Sequence, residues 1–504
     1  MRKSDGPRFA VEFPLILRAH EKAIIDKRME IGKNIYNALR NTTWKRYWEM
    51  AKTREYRSLT EQYKVVNAKY KAKPDDKIVA AERKRLGNEL TDIRKRNRIT
   101  LNDFYKDVKP MQHLFKKNID SFTAQKIALR LWEAYCDLMF GDGDELHFKK
   151  FGQMNTLEGK SNETGIRFVE GRLLWNGLDV PVAIDQKSPY ELMSLKNEIS
   201  FCRVVRKPTK GKNKYYIQIV FKGIPPPKID KVDGTFKRRL GKGEVGIDIG
   251  TQTIAITGMG SVRIEELADR AQGIEKELRR LQRKQDRSRR ATNPERFNAD
   301  GTIKRGGRKR PKWERSKHYL KTQGKIRELY RKQAAVRRYQ HNLLANEIIK
   351  LGDTFRVEHM DFRALAKKAK EAKKNAKGKN LSRKRFGKSI ANRAPAMMLQ
   401  ILGNKLNWLG SNLDKVNTRT VRASQYDHAE DDYKKKKLSQ RWAIIDGHKV
   451  QRDMYSSFLI QNVNETLDGI DRDKCIDRFD NFIKLHNMEV QRLTGKKNLS
   501  SIAI

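Results

Sequence analysis

From residue 244 onward the chain alternates short apolar runs with longer helical stretches, and few folds accommodate that alternation. EVGIDIGTQTIAITGMG (244–260) offers two apolar strands around a turn, FRVEHMDF (355–362) a third and 415–423 a fourth. Helices are expected over 264–290, 315–351, 395–413 and 449–467. Ile274, Leu278 and Leu281 mark one face of the first; Ile326, Leu329, Val336, Leu343 and Ile348 mark one face of the second. Strands alternating with helices point to an α/β domain.

The first half reads differently. Residues 1–18 hold a first strand, RFAVEFPLILR (7–17), and 19–140 read as a helical lobe punctuated by Pro74 and Pro110. Trp44 and Trp48, four apart, share a helix face. They read as core packing, with contact to nucleic-acid bases as the alternative. Between 141 and 228, short alternating runs such as YYIQIVFKG predict a small antiparallel β barrel into which the helical lobe is inserted. A polar linker follows over 229–243. The fold class is therefore multidomain, α+β followed by α/β, and 504 residues suit roughly three domains.

Charge narrows the function. Lys and Arg number 111 against 61 Asp and Glu, a formal charge of +50. Residues 271–340 carry 24 basic and 7 acidic residues; residues 363–393 carry 13 basic residues and one acid, Glu371. Two stretches this one-sided repel each other unless a polyanion neutralises them, and nucleic acid is the natural one. Arg283, Lys284, Arg287, Arg289 and Arg290 cluster at one helix end and are the candidate phosphate contacts. No apolar run is long enough for a transmembrane span, so no membrane partner is expected. Three scattered cysteines form neither a disulfide framework nor a CxxC metal site, which fits a reducing cytoplasmic compartment.

In so basic a chain, carboxylates inside apolar runs stand out. Asp248 interrupts Val245–Gly250, Glu358 interrupts Phe355–His359, and Asp453 lies near the start of the last helix. A buried carboxylate is costly unless it is paired or binds a metal. Three gathered in one cleft would suit hydrolysis of phosphodiester bonds with two Mg²⁺ ions roughly 4 Å apart. GIDIGT also resembles the phosphate-binding turn of sugar kinases, but there the motif opens the chain, and no second Gly-rich loop follows here.

GIDIGTQTIAIT, FRVEHMDFRAL and VQRDMYSSFLI, in this order, resemble the three RuvC motifs of the TnpB family of transposon-associated RNA-guided nucleases. The miniature type V CRISPR effectors are similar. LRRLQRKQDRS (278–288) resembles that family's basic bridging helix. The resemblance implies a ribonuclease H-like (RuvC) domain over 244–422 and 449–504, the latter with a C-terminal tail. It implies Asp248, Glu358 and Asp453 as catalytic, Mg²⁺-binding residues. Guide RNA and target double-stranded DNA are the implied partners, the chain being expected as a monomer in a prokaryotic cytoplasm or nucleoid. An RNA-guided DNA binder with little or no cleavage is the alternative. The family places a zinc ribbon between the last strand and the third acid. Here 423–448 contains no cysteine. It reads as a degenerate ribbon without zinc, packed around Tyr426 and Trp442, although Asp427, His428, Asp446 and His448 are metal-capable side chains.

Overall fold

The computed structural model describes residues 6–494, apart from 74, 142, 144, 231–233, 272, 305–312, 368–370, 373–374, 376–377, 379–385 and 436–439. Pro74, part of each basic stretch and the end of the C-terminal tail therefore lie outside the described residues. The chain divides into two compact units, Met1–Pro226 and Pro227–Ile504.

The first unit opens with β1 (Arg8–Pro14), then α1 (Ala19–Lys52), α2 (Arg54–Ala72), α3 (Lys77–Arg96), α4 (Leu101–His113) and α5 (Ser121–Phe140). Side chains cap these helices: Asp76 accepts from two N–H groups of α3, and Asp120 accepts from Thr123 N at 2.8 Å. Pro110, expected to punctuate, lies inside α4. There follow β2 (Thr156–Glu158), β3 (Arg167–Val169), β4 (Arg172–Trp175), β5 (Leu178–Pro181), α6 (Pro189–Leu195), β6 (Ile199–Thr209) and β7 (Lys212–Lys222). One core joins helices to strands, with Phe13, Ile25, Leu131, Ile217 and Phe221 all buried in it.

The strands do not close as expected. They form a four-stranded sheet, order β1-β7-β6-β2, and a separate three-stranded sheet, β3-β4-β5. Among the described residues the two are joined by a single bridge, Leu15 to Val182, rather than by a ladder that would complete a barrel. β2 and β3, at the edges of these two sheets, have only three residues each.

The second unit holds β8 (Glu244–Ile249), β9 (Thr253–Gly258), β10 (Ser261–Glu266), α7 (Glu275–Thr292), α8 (Lys317–Ile348), β11 (Thr354–Glu358), α9 (Phe362–Ala366), α10 (Gly387–Arg393), α11 (Pro395–Trp408), β12 (Leu413–Val416) and α12 (Thr418–Val421). Four short strands follow, β13 (Tyr426–Asp427), β14 (Asp432–Tyr433), β15 (Trp442–Ile445) and β16 (His448–Gln451), then α13 (Arg452–Gln461) and α14 (Arg472–Thr494). The main sheet runs β10-β9-β8-β11-β12. β8, β11 and β12 are parallel; β9 and β10 are antiparallel. Val245, Ile247 and Ile249 pack with Ile348, Leu402 and Leu406 on one face. The other face meets α13, whose Phe458 and Leu459 share a second core with α14. The sheet is thus covered on both sides.

Candidate active site

The parallel pairing of β8 with β11 sets the site. Val357 lies opposite Ile247, so Asp248 and Glu358 are each the next residue along. Neighbours in register share a sheet face, which puts both carboxylates on the face away from Ile247 and Val357, at the C-terminal ends of the two strands. Ligands of α/β sheets gather at that end.

Asp453 arrives from the other direction. It occupies the first turn of α13, and Asp453, Ser457 and Gln461 lie on one stripe at four-residue spacing. Gly246 makes that packing possible. A Cβ on Gly246 would stand 2.1 Å from Ser457 O and 2.3 Å from Gln461 N, so the helix backbone rests directly on the strand. Gly246 and Asp248 share a face, two residues apart. One helical turn from Ser457 toward the N-terminus of α13 covers a similar distance, which brings Asp453 to Asp248.

Polar contacts behind the acids lock the packing. Thr257 Oγ1 and Ser457 Oγ lie 2.7 Å apart, and Gln461 Nε2 donates to Glu244 O at 2.8 Å. Buried Arg356 pairs with Glu244 at 2.9 Å and donates to Gln461 O at 2.5 Å. Arg478 completes the network at 2.5 Å from Glu244. Burial alone would raise the Glu244 carboxyl, but Arg478 and Arg356 overcome it and hold it below its ordinary range.

The three acids have unlike surroundings. The Asp248 carboxyl is pushed well up, first by burial, then by the charges of Glu358 and Asp453. Burial raises Glu358 as well. Both remain partly open to solvent, and among the described residues neither side chain has a hydrogen bond or ion pair. Asp453 is engaged: Arg441 lies 3.3 Å and Arg452 3.4 Å from its carboxylate. No group of three or more His, Cys, Asp or Glu among the described residues is arranged to hold a metal ion. Asp248, Glu358 and Asp453 offer oxygen donors of the kind a divalent cation takes, while Arg441 and Arg452 partly offset the charge around Asp248 and pair with Asp453.

Of the five basic residues singled out on α7, Arg283, Lys284 and Arg287 are exposed and pair with no carboxylate among the described residues. Arg289 and Arg290 are tied to Asp286, and Arg290 also donates to Gly301 O at 2.8 Å. The region expected as a ribbon forms two hairpins, β13-β14 and β15-β16, the second running on to Gln451. Its His428 ring packs at a steep tilt against Phe479, with centroids 4.6 Å apart, and shares a 2.7 Å hydrogen bond with Tyr455 of α13. Gly246, Arg356, Glu244 and Arg441 escaped the sequence reading. Only Gly246 left a signal there, as a glycine inside an apolar strand.

No family model matches the chain, and no curated protein matches it. Among solved structures, a Cas12f1–sgRNA–target DNA complex is similar at 12% identity and a TM-score of 0.39, covering 92% of this chain and 99% of that one. A CRISPR-Cas12f ternary complex is similar at 12% identity and a TM-score of 0.21, covering 91% and 99%. Likeness this loose assigns neither fold nor function. No helix among the described residues is long and apolar enough to cross a membrane.

Proposed function

We propose that the chain is an RNA-guided DNA endonuclease whose second unit hydrolyses phosphodiester bonds at Asp248, Glu358 and Asp453. One observation carries the nuclease part of the proposal: two unpaired carboxylates lie at adjacent strand ends, and a third is close enough to help raise Asp248; guidance by RNA follows from the family resemblance alone. A fold keeps such mutual repulsion when a bound cation relieves it. The mixed five-stranded sheet, with β8 central and β10 at the edge, supports the reading of a ribonuclease H-like domain.

Asp248 and Glu358 would hold Mg²⁺, with Asp453 as the third ligand. When bound, the ions would supply a nucleophilic water and charge for the departing 3′ oxygen. The chain's own residues do the rest. Partly exposed Arg441, now paired with Asp453, would take a phosphate oxygen. Arg283, Lys284 and Arg287 offer charge for a phosphate backbone. Guide RNA would choose the target by base pairing, and the first unit would contact the flanking duplex.

A second reading, a guided binder that cuts little, is favoured by the ion pairs that occupy Asp453. Purification from cells that also express the native flanking locus tests both. A discrete co-purifying RNA and Mg²⁺-dependent cleavage of matching DNA support the nuclease. RNA-directed binding without cleavage supports the second reading. A smear of host RNA contradicts guidance.

A further inference from the structure

In the first unit, α1 carries an alternation of rings and cations. Arg40 is buried, 7% exposed, and pairs with no carboxylate among the described residues. Its guanidinium instead lies between the Trp44 ring at 4.9 Å and the Phe148 ring at 4.0 Å. The series continues in both directions. Trp48 stacks on Trp44, with centroids 6.1 Å apart and planes 19° apart, and Lys52 lies over Trp48. Lys149 lies over Tyr36, and Lys33 over Phe151.

The outermost rings are open. Phe151 is 84% exposed, Trp48 51% and Phe148 49%. Exposed phenylalanines in a loop ordinarily turn inward, because burying a ring is favourable. Here the backbone prevents it. Arg40 donates to Leu146 O at 2.6 Å. Asn37 donates to Lys149 O at 2.8 Å and accepts from Lys149 N at 2.9 Å. Glu30 accepts from Gly152 N at 3.0 Å. Phe148 and Phe151 fall between these ties and are held outward among lysines.

We propose that segment 145–153 and the Arg40–Trp48 face of α1 form a stacking platform for unpaired bases of single-stranded nucleic acid. Ring faces take bases of any sequence, and the interleaved cations take phosphates. A duplex keeps its bases stacked on one another and offers such rings nothing except at its ends. The inference goes beyond the nuclease reading and stands apart from it: it concerns the other unit and needs neither cleavage nor a guide.

The test is binding of fluorescein-labelled oligothymidine, oligouridine and a long two-strand duplex without loops to the full chain, in EDTA and at near-physiological salt. The variant is Phe148→Leu/Phe151→Leu, which keeps bulk and charge but removes both π faces. The proposal expects single-strand affinity to fall at least about tenfold while duplex affinity holds. The two oligonucleotides then tell a DNA strand from an RNA strand. Equal loss for single strand and duplex, or no loss, overturns it. So does a sedimentation shift from dimer to monomer in the variant, which would make the rings a contact between copies. Ultraviolet cross-linking of the wild-type protein to oligouridine gives an independent reading. Cross-linked peptides covering 145–153 support the platform; their absence among other cross-linked peptides overturns it.

Discussion

Replacing Asp248 by Asn keeps its shape and removes the charge that its surroundings oppose. Because the folded carboxyl is raised, the native state keeps a proton that the unfolded chain releases. Stability therefore declines as pH rises from the ordinary carboxylate range toward the raised value, and stays low above it. Asp248→Asn should raise the metal-free melting temperature at neutral pH and flatten that decline, as calorimetry across pH would show. It should also lower cleavage by more than about a hundredfold, the upper range for lost support of a metal site. Glu244 acts with the opposite sign: its carboxyl is depressed, so its contribution is present above the unfolded value and is lost as pH falls through the folded one. The three acids were legible because each interrupts an apolar run or opens a helix. Arg441 was not, since it lies twelve residues before its partner in a stretch without pattern.

At the scale of elements, the contact of α13 with β8 decides whether Asp453 reaches the site. Gly246→Ala places a methyl group against the Ser457 carbonyl and the Gln461 amide. Forcing a group into a packed interface costs roughly 1–3 kcal/mol. Urea unfolding should show a loss of at least that size, accompanied by lowered cleavage as Asp453 moves. On α7, Arg283→Ala/Lys284→Ala/Arg287→Ala should weaken nucleic-acid binding and reduce the salt slope by up to about 0.9 per lost phosphate contact. Arg289→Ala/Arg290→Ala should change that slope less, because both groups are already paired with Asp286, which offsets one of their two charges. Helix boundaries were the weak part of the sequence reading. The first long helix was expected from 264, but Ser261–Glu266 pairs with β9 and α7 begins at Glu275. SVRIEE alternates with period two, and its register depends on a partner strand that local pattern does not contain. The last amphipathic helix shortened for the same reason, as His448–Gln451 pairs with β15.

For the whole molecule, the net charge of +50 is the term that association will report first. Affinity for any nucleic acid should fall steeply as salt rises, so guided and unguided binding separate only near physiological ionic strength. Strand and helix patterns change character near Pro225–Pro227, where one compact unit ends and the other begins, so the chain has two units where length suggested roughly three domains. Sheet closure in the first unit was not legible, because it depends on pairing between distant short strands. The most direct measurement compares the RNA-bound wild-type protein with Asp248→Asn and Glu358→Gln on matching DNA in Mg²⁺, scoring binding and cleavage in the same samples. The account predicts that all three bind and only the wild type cuts. Cleavage by either variant at the wild-type rate would contradict it.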